Sequence, residues 1–392
     1  MGEKVSVITP CYNGESFIAR FMDSLLVQTY NNIEFILIND GSTDKTEEIV
    51  RSYRKKFKDK NIDFIYIYQE NAGQAAALNR GLKIFTGDYI TWPDSDDFLL
   101  SDSIEKKVNF LRENPDCGLV RTDGYIVKEE DIGSPIGQFS KGLEYPEKDF
   151  IFKKLINHTV WIQPGAYLMR KEAFLECYPD RNIYISRAGQ NYQMLLPATY
   201  NYMCGYINEP LYVYVERKRS HSRSYSGLDS EFVHVDELEN IIINTLTNIK
   251  LEEKEYREII QFVKKESLKR KLFISIKYNS EVDTKKYKNA LKIELMEDIN
   301  NLTDKNIILF GASTLGRVIY SLIKDELNIV YFSDNDKNKW GKYIDRVEII
   351  PPNRLLELVN YKIIITSQFK LEISKQLAEM NLDQNIYYIS IF

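Results

Sequence analysis

The sequence has few cysteines and histidines, which excludes several classes of disulfide and metal protein. Four cysteines are scattered through 392 residues without a CxxC pair, so neither a disulfide framework nor a zinc knuckle is predicted. Only three histidines are present, which nearly excludes a metal site built from several imidazoles. A hard cation such as Mn²⁺ or Mg²⁺ would therefore have to bind carboxylates, and the aspartate clusters become the first candidates.

Long apolar runs and an excess of basic residues are also absent. No run approaches the roughly 18 residues of a membrane-spanning helix, and MGEKVSVITP lacks the basic-then-apolar layout of a signal peptide. Fifty-two Lys and Arg stand against 57 Asp and Glu, which argues against a basic nucleic-acid-binding surface over the whole protein. We therefore expect a soluble, cytoplasmic protein without a nucleic-acid partner.

The order of apolar and polar residues predicts an α/β fold in three parts. From residue 4 to about 122, short apolar runs alternate with helical periodicity, a pattern typical of a mostly parallel sheet with flanking helices. We predict this domain over residues 1–225, a helical connector over 226–303 and a small Rossmann-like α/β domain over 304–392. The predicted strands of the first domain are Lys4 to Thr9, Ile33 to Asn39, Asp63 to Tyr68, Tyr89 to Trp92 and Gly118 to Thr122.

Polar loops follow four of the predicted strands, where open α/β sheets form their ligand crevice. The last loop carries three carboxylates within four residues, Asp94, Asp96 and Asp97. These charges repel one another unless a cation neutralises them. Taken alone, an acidic turn is weak evidence of a metal site, because such turns are common. The set of loops is more informative, and it comprises residues 9–13, 39–44, 71–74 and 94–97.

The chain resembles the family 2 glycosyltransferases of the GT-A fold in two stretches, VSVITPCYNGESFIARFMDSLLVQTYNNIEFILINDGSTDKT and QENAGQAAALNRGLKIFTGDYITWPDSDD. The resemblance extends over roughly residues 4–225. It implies a metal-dependent, inverting transfer of a sugar from a nucleotide-sugar donor, with UDP as the expected nucleotide. The expected acceptor is a hydroxyl of a surface glycan, a lipid-linked saccharide or a protein.

The resemblance also implies roles for individual residues. Tyr12 would pack on the base and ribose, Asp40 would accept a hydrogen bond from the uracil ring, and Gly73 would let the backbone approach the nucleotide. Asp94 and Asp96 would hold Mn²⁺ or Mg²⁺ on the pyrophosphate, and the metal set could extend to Asp97 and His221. The full set implied for the nucleotide sugar is Thr9, Pro10, Tyr12, Asn13, Asp40, Gly73 and Ser95.

One part of the family pattern is missing from this chain. Many relatives carry a Glu-Asp pair at the start of a helix and use it as the catalytic base, whereas Gln190 and Asn191 stand at that place here. An amide cannot accept a proton at neutral pH, so these two residues are predicted to orient the acceptor. The carboxylates of the same half that could replace the base are Asp123, Glu144, Glu209 and Glu216.

The missing Glu-Asp pair is also compatible with a chain that has no base of its own. The acceptor could arrive already nucleophilic, or the domain could bind nucleotide sugars without transferring them, as a regulatory or scaffold protein would. Aromatic rings are common platforms for sugars, and three of them lie near the acceptor segment in sequence. These acceptor-platform candidates are Trp161, Tyr184 and Tyr192.

The remainder of the chain carries weaker signals. A turn from Gly311 to Gly316 resembles a dinucleotide-binding loop, but Ser313 replaces its middle glycine, so we expect no bound dinucleotide. Basic residues with Phe262 and Phe273 in the connector leave peripheral membrane association open. Nothing in the sequence indicates an oligomeric state.

Overall fold

The computed structural model describes residues 2–186, 189–217, 227–367 and 369–388. The chain divides into two compact units between Val263 and Lys264, a point that lies inside the predicted helical connector. Within the described residues, no helix is both long enough and apolar enough to cross a membrane.

The described residues of the first unit form ten strands, which join in one sheet of order β3-β2-β1-β4-β9-β6-β10-β5, with β7 on β6 and β8 on β10. The long pairs β1/β2, β2/β3 and β6/β10 are parallel, whereas β9 runs antiparallel to both β4 and β6. The α/β prediction with a mostly parallel sheet is therefore confirmed. The strands are β1 Val5–Cys11, β2 Ile33–Asp40, β3 Asp63–Gln69, β4 Tyr89–Thr91, β5 Phe98–Leu99, β6 Cys117–Lys128, β7 Gly137–Gln138, β8 Lys148–Asp149, β9 Tyr167–Arg170 and β10 Met203–Glu216.

Helices cover the faces of this sheet. Strand β2, between β1 and β3, is buried along its whole length, as expected for a parallel strand with helices on both sides. Its Phe35 stacks on Phe64 of β3 and contacts Phe21 and Phe57, which lie on two of the flanking helices. The helices are α1 Ile18–Leu26, α2 Thr46–Ser52, α3 Arg54–Asp59, α4 Gln74–Ile84, α5 Ser103–Glu113, α6 Phe152–Ile156, α7 Lys171–Cys177, α8 Gln190–Asn201, α9 Leu228–Thr245 and α10 Glu253–Lys277.

A fully buried arginine organises the core under the second half of this sheet. The Arg121 guanidinium lies 4.4–4.7 Å from the ring centroids of Tyr145, Trp161 and Tyr206, and it has no hydrogen-bond partner among the described residues. Cation–π attraction to three rings offsets part of the cost of burying this charge. Trp161 is consequently 9% exposed, so its ring faces are occupied by protein and not offered to a sugar.

The second unit contains a smaller sheet. Residues 306–365, all of which the structure describes, form five strands in the order β13-β14-β12-β11-β15, parallel except for β13. The strands are β11 Asn306–Phe310, β12 Asn328–Ser333, β13 Tyr343–Ile344, β14 Val347–Ile350 and β15 Tyr361–Ile365. The helices of this unit are α11 Glu281–Glu294, α12 Met296–Leu302, α13 Thr314–Ile323 and α14 Lys370–Glu379.

The glycine-containing turn after β11 is closed by the protein itself. Gly311 has φ +122°, and a Cβ there would lie 2.8 Å from the Thr366 carbonyl oxygen. The Asp334 carboxylate accepts hydrogen bonds from Ala312 N at 2.7 Å, Asp336 N at 2.8 Å and Lys339 Nζ at 2.9 Å. The acid at the end of the second strand is thus engaged by the chain's own donors. That no dinucleotide binds here stays a prediction.

Lys107 of α5 is a buried cation, and the structure predicts how it affects stability. Its Nζ donates to Gly165 O at 2.8 Å, and burial lowers the pKa of its ammonium to about 7. Between pH 7 and the usual pKa of 10.5 the unfolded chain holds a proton that the folded protein does not, so unfolding free energy rises with pH over this window. Below pH 7 the folded state carries the full cost of the buried charge.

We therefore predict that Lys107→Met stabilises the protein, by on the order of 2–4 kcal/mol at pH 6.5 and much less at pH 10.5. Urea denaturation at both pH values measures this difference. Lys106→Met is the matched control, because Lys106 is an exposed neighbour paired with Asp102 and its loss should change little at either pH. A Lys107→Met variant that is less stable than the wild type at pH 6.5 would contradict the prediction.

Candidate active site

The loops after β1 and β2 are tied together at the carboxyl edge of the first sheet. Asn13 N donates to Ser42 Oγ at 2.9 Å, and Thr43 N donates back to Asn13 Oδ1 at 2.9 Å. Asn13 adopts φ 48°, a left-handed conformation that asparagine tolerates. Tyr12, next to it, is 51% exposed, whereas Thr9 is buried. The exposed ring of Tyr12 therefore lies next to Asn13, the residue that ties the two loops together.

Asp40, at the end of β2, holds the loop that follows β3. Its carboxylate accepts from Gln69 Nε2 at 2.6 Å, Ala72 N at 2.9 Å and Gly73 N at 2.9 Å. A carboxylate has about four acceptor positions, so one remains for a further donor. Gly73 has φ +91°, and nothing lies within 4 Å of where a Cβ would be. Glycine is therefore required by the backbone conformation, and the space beside it is open.

The acidic loop lies between β4 and β5, and its three carboxylates have different partners. Asp94 Oδ1 accepts from Gln74 Nε2 at 2.7 Å, and Asp96 Oδ2 accepts from Arg217, whose Nε lies at 2.8 Å. Asp97 accepts from Tyr212 OH at 2.6 Å and from Val215 N at 2.8 Å. Burial, followed by the charge of Asp96, raises the pKa of Asp94 to about 7.

The same causes raise the pKa of Asp97 well above its usual value, first burial and then its two acidic neighbours. Both of its oxygens bind groups of β10, so Asp97 attaches the acidic loop to the end of that strand. Ser95 is also buried, beside Cys11. Asp94 and Asp96 are thus the two acids of the loop with an oxygen to offer beyond these hydrogen bonds.

Two arginines supply positive charge beside Asp96. Arg217 lies over the Phe17 ring, with its guanidinium 4.4 Å from the ring centroid, and Arg20 of α1 donates to the Asp96 carbonyl oxygen. Burial lowers the pKa of Arg20, and the neighbouring carboxylates oppose this shift. Arg20 was not singled out from the sequence, whereas Gln74 lies in the predicted loop 71–74 and Arg217 directly follows the base candidate Glu216.

The acidic pair suits a divalent cation that shares its coordination with a ligand. Mg²⁺ in proteins is commonly bound by one or two carboxylates together with substrate phosphates. Asp94 and Asp96 each use one carboxylate oxygen in the contacts above, so each has another for a cation. Among the described residues, no three His, Cys, Asp or Glu form a complete metal set. The residues therefore fit a cation held jointly by two aspartates and a diphosphate.

The first turn of α8 reaches the same edge. Trp92 Nε1 donates to Asn191 Oδ1 at 3.2 Å, two residues before Asp94. Because an indole nitrogen can only donate, this contact assigns the amide oxygen of Asn191 to Trp92. The NH₂ group of Asn191 is what remains to contact a ligand, and it is a hydrogen-bond donor. Gln190 is buried beside it, after Gly189 in the left-handed conformation.

The four base candidates lie in different surroundings. Asp123 is buried and accepts from Ser140 Oγ at 2.7 Å and Gly124 N at 2.8 Å, and Glu209 pairs with Lys106 of α5. Glu144 is exposed on the loop between β7 and β8. Glu216 ends β10, directly before the Arg217 that binds Asp96. The last predicted metal ligand, His221, lies outside the described residues.

Comparison with known proteins agrees with this geometry. The glycosyl transferase family 2 model matches residues 6–178, and a model described as C2185-like, N-terminal, matches residues 303–386. An uncharacterized glycosyltransferase of Haemophilus influenzae is 46% identical over 120 residues, which are 31% of this chain and 46% of that protein. An uncharacterized glycosyltransferase of Rickettsia typhi is 41% identical over 121 residues, which are 31% of this chain and 36% of that protein.

The chain thus spans less than half the length of these two relatives. A solved structure with the same fold is that of Staphylococcus aureus TarS residues 1–349 in complex with UDP-GlcNAc, at 20% identity and a TM-score of 0.55, covering 76% of this chain and 81% of that one. The glycosyltransferase GlyG of Streptococcus pneumoniae is 30% identical over 237 residues, which are 57% of this chain and 74% of that protein. With a relative matched over most of its length and the family model over the site, the chain belongs to glycosyltransferase family 2.

Proposed function

We propose that this protein transfers a sugar from a UDP-linked donor to a hydroxyl group, with inversion at the anomeric carbon and with the help of Mn²⁺ or Mg²⁺. The observation that carries the proposal is the meeting of Asp94 and Asp96 with the Asp40-held loop at one edge of the sheet. Gln74 connects the two, because it follows Gly73 in the chain and donates to Asp94. A nucleoside and its diphosphate could then be bound side by side.

The nucleoside end of the donor is assigned to the Tyr12 and Asp40 side of this edge. An exposed aromatic ring suits stacking on a base, and the remaining acceptor position of Asp40 suits a ring N–H. TarS, which shares the fold, was solved with UDP-GlcNAc bound, and we propose UDP for this chain also. Buried Thr9 and Ser95, with the partly exposed Pro10, would shape the floor of this pocket.

The diphosphate end is assigned to the acidic loop. When bound, a divalent cation would supply Lewis-acid stabilisation to the charge that develops on the departing diphosphate. Asp94 and Asp96 would hold it, and Gln74 fixes the orientation of Asp94. Arg217 and Arg20 bring positive charge to the same place, which lowers the electrostatic cost of bringing a diphosphate to three carboxylates.

The acceptor would meet the donor sugar beside Trp92 and Asn191. The Asn191 NH₂ group can donate to the acceptor oxygen and so orient it, but the proton must leave to a carboxylate. Among the four candidates we propose Glu216 as the base, because it is adjacent in the chain to a residue that contacts the acidic loop. The acceptor would be a surface glycan, a lipid-linked saccharide or a protein.

The amides at positions 190 and 191 favour a second candidate function. A protein that binds nucleotide sugars without transferring them would need the donor site and no base, and it would serve a regulatory or scaffold role. The two functions differ in one measurable respect, since only the enzyme releases UDP with turnover.

A panel of nucleotide sugars incubated with the protein and MnCl₂ tests the proposal. We predict UDP release from a UDP-linked donor, abolished by EDTA and reduced at least about 100-fold in Asp96→Asn, because the cation stabilises charge by several kcal/mol. Asp97→Ala is the comparison variant from the same loop, because Asp97 attaches the loop to β10. Losing its hydrogen bonds to Tyr212 and Val215 should lower the melting temperature of the protein. Full activity in EDTA, or wild-type turnover by Asp96→Asn, would contradict the proposed role of the metal.

The base is tested separately by the transfer rate. Glu216→Gln should lower it by about 10²–10⁴ while UDP affinity is unchanged, and the acidic limb of the pH profile should disappear. Glu209→Gln serves as control, because Glu209 is paired with Lys106 and should transfer at the wild-type rate. A Glu216→Gln variant with wild-type rate and pH profile would exclude Glu216 as the base.

A further inference from the structure

Two consecutive residues before α8 are held by two buried side-chain amides. Ile183 N donates to Asn79 Oδ1 at 2.8 Å, and Asn79 Nδ2 donates to Ile183 O at 2.9 Å. Tyr184 N donates to Gln193 Oε1 at 2.7 Å, and Gln193 Nε2 donates to Tyr184 O at 2.8 Å. Each amide thus satisfies both backbone groups of one residue, as a neighbouring strand would. The backbone of this segment is fixed by four hydrogen bonds to two helices.

The side chains of the segment contrast with its rigid backbone. Asn79, Gln193 and Ile183 are buried, whereas Tyr184 is 59% exposed and Ile185 next to it is 57% exposed. Of the three aromatic residues predicted near the acceptor, Tyr184 is the one whose ring is open to solvent, since Trp161 packs on Arg121 and Tyr192 is buried. A large apolar pair at a position of fixed backbone has the properties of a binding surface.

The two helices that hold the segment are those that reach the active site. Helix α4 begins at Gln74, which contacts Asp94, and Asn79 lies five residues further along it. Helix α8 begins at Gln190, and its Asn191 contacts Trp92, two residues before Gln193. At 1.5 Å rise per residue, these offsets are about 7.5 Å and 3 Å along the helix axes. Asn79 and Gln193 lie on other helix faces than Gln74 and Asn191, so the offsets show that the segment is anchored near the N-terminal ends of both helices, the ends that carry Gln74 and Asn191.

We propose that Tyr184, with Ile185 beside it, is the platform on which a neutral sugar ring of the acceptor stacks. Asn79 and Gln193 are positioning residues that hold it. This inference rests on the proposed function and assigns the acceptor to the saccharides. The apolar C–H face of a pyranose matches an aromatic ring flanked by an isoleucine.

Binding of simple sugars tests the platform without relying on catalysis. The probes are methyl β-glucoside, methyl β-galactoside and methyl N-acetyl-β-glucosaminide, added to the protein with UDP and MnCl₂. In saturation-transfer NMR we expect signal on ring protons of at least one probe, lost in Tyr184→Ala and kept in Tyr184→Phe and Tyr184→Trp, because stacking needs the ring and not the hydroxyl. Absence of signal from all probes with the wild type would overturn the proposal.

Kinetics with the probe that binds supply the second arm. Tyr184→Ala should raise the acceptor KM at least about tenfold and leave donor KM and acceptor-free UDP release unchanged. Phe150→Ala is the matched control, an equally exposed aromatic after β8, which pairs with the opposite end of β10 from the acidic loop. An acceptor KM at the wild-type value in Tyr184→Ala, or a change confined to donor KM, would refute the platform. Failure of the wild type to release UDP would refute the proposed function alone.

The positioning role is tested by Gln193→Met, which keeps the length of the side chain and removes both of its hydrogen bonds. A positioning residue raises acceptor KM in a protein that is still folded by circular dichroism, with donor KM unchanged. A lower melting temperature with the wild-type acceptor KM would show that Gln193 is only structural, and would overturn this part of the proposal.

Discussion

Mutual repulsion among three carboxylates in four residues is the constraint on which the site depends. The chain resolves it in three ways. Asp97 is taken into the core by Tyr212 and by the backbone of β10, Asp96 is paired with Arg217, and Asp94 receives a single amide hydrogen bond from Gln74. Burial, followed by the charge of Asp96, still raises the pKa of Asp94 to about 7. In the proposed function, a cation shared with a diphosphate would offset the remaining repulsion.

This constraint also organises the elements around the loop. Because Asp97 binds β10 and Gln74 begins α4, the acidic loop connects the end of β10 to the start of α4. Asp40 adds a second connection, from the end of β2 to the turn before α4. In the proposed function, the donor would therefore bind at the sheet edge, whereas the acceptor would meet side-chain amides such as Asn191. Changes on the acceptor side could alter specificity while the donor edge keeps its structure.

Much of the donor half could be predicted from sequence because it depends on local patterns. The ends of β1, β2 and β4 placed Tyr12, Asp40 and the acidic loop at one edge, and the α/β alternation predicted the fold. The acceptor half could not be predicted in this way. Arg217 meets Asp96 across 121 positions and Asn79 meets Ile183 across 104, so their pairing depends on how the helices and strands pack. The cage around Arg121 and the division of the connector between Val263 and Lys264 arise from tertiary packing in the same way.

The proposed function depends above all on Asp94 and Asp96, and not Asp97, holding a divalent cation on a nucleoside diphosphate. Anomalous diffraction from crystals grown with UDP and Mn²⁺ is the decisive measurement, because the manganese signal locates the ion independently of activity. We expect one strong peak in contact with the carboxylates of Asp94 and Asp96 and with the diphosphate, while Asp97 keeps its hydrogen bonds to Tyr212 and Val215. A peak elsewhere, or bound UDP at this edge without manganese beside it, would contradict this assignment.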